Sequence, residues 1–200
     1  MQRRIPVIST IVVVAAAATM VALGVWQLGR AEEKAALIAR YEANLAASPV
    51  RLERPLDAPD NLYRQVTMDC PRPFGWTAIA GRSASGQLGY AQRYVCQNES
   101  VHSGIGESPL LQVYAVIGWS RSPEMVVWRG GTVSGILAPL GEDFKIVAEP
   151  PLADLEANAT PDPSGLPNNH LAYAGQWFFF ALTALVIYWL ALRRRWREQG

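Results

Sequence analysis

Two cysteines and two histidines are all that 200 residues provide, which leaves no material for a cysteine-rich metal site or a histidine cluster. Charge is scarce as well: 18% of residues are charged and the net charge is +1. There is no basic surplus of the kind nucleic-acid binding requires. Internal repeats are absent, as are a phosphate-binding loop, a dinucleotide fingerprint and a nucleophile elbow. The Gly/Ser-rich stretch from Gly81 to Gly86 lacks the following lysine and helix that phosphate binding needs. Glu142 and Asp143 read as solvated turn carboxylates, and His102 reads as an exposed loop residue. A general base must be held by packing within reach of a nucleophile, and no such constellation is visible. The chain is therefore not expected to be an enzyme.

What the sequence does have is two long uncharged runs, residues 5–28 and 171–192. At ~1.5 Å per residue the first reaches about 36 Å, beyond the ~30 Å hydrocarbon core of a bilayer. Backbone groups in lipid must be paired within the segment, so both runs are expected to be transmembrane helices. Arg3 and Arg4 precede the first run, while Arg193, Arg194, Arg195 and Arg197 follow the second. Basic flanks stay on the cytoplasmic side, so both tails (residues 1–4 and 193–200) are expected there, with the middle of the chain on the far side. Trp26, Trp189 and Trp196 suit interfacial belts. A cleaved signal peptide is the alternative for the first run, since Ala15 to Ala18 could supply a small-residue cleavage site; the run is longer than a signal core. So short a leader leaves no room for an organelle transit peptide, which favours a bacterial inner (plasma) membrane.

The fold class expected is that of an α+β membrane protein, with two transmembrane helices flanking an extracytoplasmic antiparallel β-rich domain over residues 49–166. The first helix should continue to about residue 47, because Glu33, Lys34, Leu37, Ile38, Tyr41 and Leu45 keep a helical rhythm. Pro49, Pro55 and Pro59 then enforce an extended connector. Short segments at 63–70, 76–80, 90–97, 110–119, 125–128, 132–137 and 144–147 read as strands of an antiparallel sheet or partly open barrel. Gly130 and Gly131 suit a tight hairpin between the fifth and sixth of these. Residues 150–167 hold five prolines and read as a loop leading to the second membrane helix, 168–192. Cys70 and Cys96 fall on two expected strands outside the cytoplasm, where a disulfide is favoured over a copper or zinc site.

His170 stands apart from this background. It follows Pro167, Asn168 and Asn169, which are helix-start residues. Helical spacing aligns it with Tyr173, Ala174, Trp177, Ala181 and Ala184. Imidazole is a common axial ligand of haem iron; an interfacial histidine merely hydrogen-bonded to a headgroup or carbonyl is the plainer alternative. Ala15 to Ala18, Ala22 and Gly24 of the first run are also small and could allow close helix packing.

Two terminal stretches resemble the Surfeit locus protein 1 family of cytochrome oxidase assembly factors. The first is LGVWQLGRAEEKAALI, where Gly24, Trp26, Gln27, Leu28, Arg30, Lys34, Leu37 and Ile38 match the family's membrane-exit pattern. The second begins LPNNHLAYAGQW, where Asn168, Asn169, His170, Leu171, Tyr173, Ala174 and Trp177 match. Between them the likeness is diffuse: Ile117 stands where the family commonly has Arg before the Gly-Trp pair. The resemblance implies a part in building haem–copper oxidases, with haem A as cofactor and His170 as its axial iron ligand. Tyr173, Trp177 and Trp26 would pack near the ring, and Arg30 would pair with a propionate or simply snorkel at the helix end. Implied partners are the oxidase catalytic subunit, a haem A synthase and the lipid bilayer, with no nucleic acid. The alternative within the same resemblance is a cofactor-free scaffold that steadies an oxidase assembly intermediate.

Overall fold

The computed structural model describes residues 6–102 and 107–198, with side chains outside 98–110. The expected tail 1–4 with Arg3 and Arg4, the first residue of the first apolar run, and residues 103–106 and 199–200 lie outside the described part. The chain divides into two compact units, one comprising residues up to Leu37 and from Pro167 onward, the other Ile38–Leu166.

The first unit is built on α1 (Val7–Leu45) as far as Leu37 and on α2 (His170–Glu198), and both helices are long and apolar enough to cross a membrane. Pro6 precedes α1, where its missing N–H costs nothing, and its carbonyl accepts from Thr10 N at 3.0 Å. α1 ends at Leu45, shortly before Pro49, whose ring forbids a helical continuation. Ala17, Gly24 and Ala31 are the buried residues of α1, spaced by seven, and Ala174 and Ala181 are their counterparts on α2. Small residues at this spacing let two backbones approach closely. At Gly24 the approach is tight: a Cβ there would lie 2.5 Å from Phe178 Cε1. The contacts run in opposite order along the helices, Thr10 with Tyr188 hydroxyl to hydroxyl and Gln27 with His170, so this is an antiparallel hairpin. Its outward faces carry large apolar side chains left bare, among them Ile8 at 81% exposure and Phe179 at 64%.

The second unit is a seven-stranded sheet among the described residues: β1 (Val50–Arg51), β2 (Gln65–Cys70), β3 (Phe74–Arg82), β4 (Leu88–His102), β5 (Glu107–Ser120), β6 (Gly131–Leu140) and β7 (Asp143–Ala148). The order is β1-β2-β6-β7-β5-β4-β3. The all-antiparallel expectation is corrected: β1 with β2 and β5 with β7 are parallel pairs, the other four antiparallel. The β6–β7 hairpin, turning at Gly141 with φ +65°, inserts between β2 and β5 and brings β7 alongside β5 in the same direction. A further correction concerns Gly130 and Gly131. Both have positive φ, but they do not close a hairpin, since residues 123–130 form no strand and β6 pairs with β2 and β7. Gly130 is required instead by closeness, because a Cβ would stand 2.4 Å from the Cys70 carbonyl oxygen. His102 likewise lies in β4, its backbone paired with Glu107, rather than in a loop.

One face of the sheet and the chain around Leu52, Ala58 and Tyr63 enclose the core, with Val66, Met68, Val113, Ala115, Ile117, Val133, Leu137 and Ile146 fully buried. Cys70 and Cys96 are joined by a disulfide across 26 positions. Closing a loop of that size stabilises by about 3–4 kcal/mol in the chain-entropy model. Gln92 is fully buried yet satisfied, accepting from Trp76 Nε1 at 2.8 Å and donating to Ser120 Oγ at 2.9 Å. The proline-rich return segment is tied down by bridges of Glu156 to Trp119 and Asn158 to Ser83. Asp162 then caps a 3-10 turn at Pro163–Gly165, and its hydrogen bonds from Ser164 hold its carboxyl below the usual carboxylate range.

Candidate functional site at the head of the second helix

His170 is the first residue of α2. Asn169 precedes it, and the Asn169 carbonyl accepts from Tyr173 N at 3.2 Å, which starts the helical ladder. Pro167 helps keep the chain extended up to that point. The neighbouring Asn168 donates through Nδ2 to the Ala31 carbonyl of α1 at 3.2 Å, while its Oδ1 is buried without a partner. That bond fixes the head of α2 against the turn of α1 holding Gln27, Arg30 and Ala31.

His170 is half-buried, and its Nδ1 lies 2.8 Å from Gln27 Oε1. A carboxamide oxygen only accepts, so in the neutral ring Nδ1 carries the hydrogen and Nε2 holds the lone pair. An imidazole oriented in this way, one nitrogen anchored and the other free to ligate, is the arrangement metal-binding histidines adopt. Among the described residues no group of three or more His, Cys, Asp or Glu gathers as a metal-ion site.

The other residues singled out in the sequence are distributed as follows. Ala174 and Ala181 are buried in the helix seam, at 1% and 3% exposure, and His170 sits at the top of that seam. Tyr173, three positions on from His170, is 51% exposed. Trp177 is half-buried and meets Phe180 edge-on with centroids 6.3 Å apart. Trp26 is 57% exposed on α1, next to Gln27. Arg30 is exposed and engaged in an ion pair with Glu33 one turn on, so it is not an idle cation. Gln27 is the residue that sequence reasoning noticed only as a motif letter, and Asn168 only as a motif letter and a helix-start residue.

The chemistry open to this arrangement is ligation from one side, flanked by exposed aromatic surface. In comparison with known proteins, a family model described as SURF1 family matches residues 14–91. The match takes in most of α1 and the chain as far as β4, and ends before α2. No curated protein matches the chain.

Proposed function

On that match the chain is assigned to the Surfeit locus protein 1 family, a family of cytochrome oxidase assembly factors rather than of known enzymes, and from this premise we propose that it holds haem A at the membrane for delivery to the catalytic subunit of a haem–copper oxidase. The observation that carries the reading is the anchoring of His170 Nδ1 by Gln27, which leaves Nε2 as a ligand atom at the top of the helix hairpin. Haem A supplies an iron with axial positions to fill and a long apolar tail. His170 would hold the iron from one side. Trp26 and Tyr173 offer exposed aromatic surface, and Trp177 a half-buried ring. Arg30 would have to leave Glu33 to meet a propionate, which makes that contact weaker than a dedicated clamp.

In this reading α1 and α2 cross the bilayer, their bare apolar faces meeting lipid. Arg193, Arg194, Arg195 and Arg197 mark the cytoplasmic end, and the sheet unit lies outside the cytoplasm in a cell inner membrane. The Cys70–Cys96 disulfide fits that oxidising side. A single protein ligand suits a carrier, since transfer requires a recipient that binds the cargo more tightly. The upstream partner would be a haem A synthase.

The test is to purify the protein from cells that make haem A and to delete its gene. Haem A co-purifying near one per chain, with oxidase activity falling more than oxidase polypeptide in the deletion strain, is the expected result. A haem-free protein from such cells would instead assign it to scaffolding, and a normal oxidase in the deletion strain would remove the assembly role.

A further inference from the structure

The last turns of α2 carry a column of side chains that neither the helix seam nor the His170 site uses. Trp189, Arg193 and Arg197 succeed one another at intervals of four, which sets them on one face of the helix. Trp189 is 53% exposed and both arginines are exposed, so the column lies outside the seam that buries Ala174 and Ala181. The Arg193 guanidinium leans back over the Trp189 ring, 5.5 Å from its centre. Helical side chains tilt toward the N-terminus, so Arg197 reaches in turn toward Arg193.

The charges of this column are not matched within the described chain. Residues 193–198 hold four arginines and one glutamate, and Glu198 already accepts from Arg194 Nε at 3.0 Å. Neither Arg193 nor Arg197 belongs to an ion pair among the described residues. Like charges four apart on a helix repel. An anion lying between them removes that repulsion, and the guanidinium fork fits the oxygens of a phosphate.

Depth selects the source of that phosphate. The uncharged run 171–192 reaches about 33 Å at ~1.5 Å per residue, just beyond the ~30 Å hydrocarbon core. In the bilayer reading of α2, on which this inference rests, Arg193 and Arg197 stand among the headgroups and the Trp189 ring at the edge of the acyl layer. One phospholipid then meets all three side chains, its phosphate on the arginines and its glycerol and upper acyl chain on the indole. A zwitterionic headgroup brings its own ammonium to the same place, whereas an anionic one leaves its charge to the arginines.

We propose that the Trp189–Arg193–Arg197 column binds an anionic phospholipid of the cytoplasmic leaflet. The full chain is reconstituted in phosphatidylcholine nanodiscs doped with an equal small fraction of acyl-brominated phosphatidylglycerol or acyl-brominated phosphatidylcholine. Quenching of Trp189 is read as the difference between the parent chain and Trp189→Phe. Brominated phosphatidylglycerol should associate with Trp189 about fivefold more tightly than brominated phosphatidylcholine. Arg193→Gln combined with Arg197→Gln should abolish that preference. Arg194→Gln combined with Arg195→Gln, which removes as much charge from other faces of the helix, should leave it in place. Equal quenching by the two lipids, a preference surviving loss of Arg193 and Arg197, or one lost equally in both double variants would overturn the proposal. Displacement of the brominated phosphatidylglycerol by a glutamate-rich peptide would assign the column to a protein partner instead. Absence of Trp189 quenching by either lipid would contradict the bilayer placement of α2 itself, which separates failure of that reading from failure of this inference.

Discussion

His170 and Gln27 lie 143 positions apart in the chain, and only the register of the two helices makes them hydrogen-bonding neighbours. Helix periodicity could single out His170 as the polar head of an apolar helix, because that judgement needs only local sequence. It could not find Gln27, since cross-helix partners depend on rotation and depth that no single helix encodes. Spacing sets Tyr173 beside His170, and it stands 51% exposed next to the seam that Ala174 and Ala181 line. If Gln27 orients the imidazole, Gln27→Leu should weaken haem affinity by about 10- to 100-fold, the usual effect of losing an outer-shell partner. Titration of purified protein with haem checks this, and Gln27→Glu should retain most of the affinity. Lys145 makes a separate prediction. Its folded-state pKa is lowered by burial and then by the charge of Arg93, so its protonation opposes folding at neutral pH, and that opposition fades as pH rises through the lowered value toward the ordinary lysine value. Lys145→Met should therefore be more stable at pH 7, by roughly 0.5–2 kcal/mol. The advantage should shrink in alkaline melts.

At the scale of elements, long apolar runs and alternating short segments were readable because each reflects burial along one stretch of chain. The helices and most strands appear where those patterns lie. Pairing was less readable. The parallel β5–β7 contact joins segments separated by all of β6, and nothing local in Leu110 to Trp119 or Phe144 to Val147 states which edge will meet which. Gly130 and Gly131 carried the right backbone signal with the wrong partner, since positive φ serves a hairpin and a close backbone approach equally. In the helix hairpin, by contrast, the small residues do specify a close seam. Gly24→Leu should drive the helices apart, because even a Cβ at this position meets the Phe178 ring. A Thr10→Cys, Tyr188→Cys pair should be bridged by a short bifunctional thiol reagent in the parent protein, where the two hydroxyls are bonded across the length of the tyrosine side chain, and lose that cross-link in the Gly24→Leu background. Persistence of the cross-link would show a seam looser than these contacts indicate.

For the whole molecule, the first unit holds two helices long and apolar enough to cross a membrane and the second a disulfide-braced sheet. The topology argument predicts that a tag placed after Glu198 is inaccessible to reagents outside intact cells. A tag in the β3–β4 turn at Ser85 should be labelled there. Tags accessible on the same side would contradict a hairpin with both ends cytoplasmic. The central claim, however, is chemical, and the visible absorption spectrum tests it most directly. Protein and its His170→Ala variant are purified side by side from cells that synthesise haem A. The account predicts a haem A spectrum for the parent chain that is lost or shifted in the variant. Spectra that coincide in position and intensity would remove His170 as the iron ligand, and the carrier reading with it.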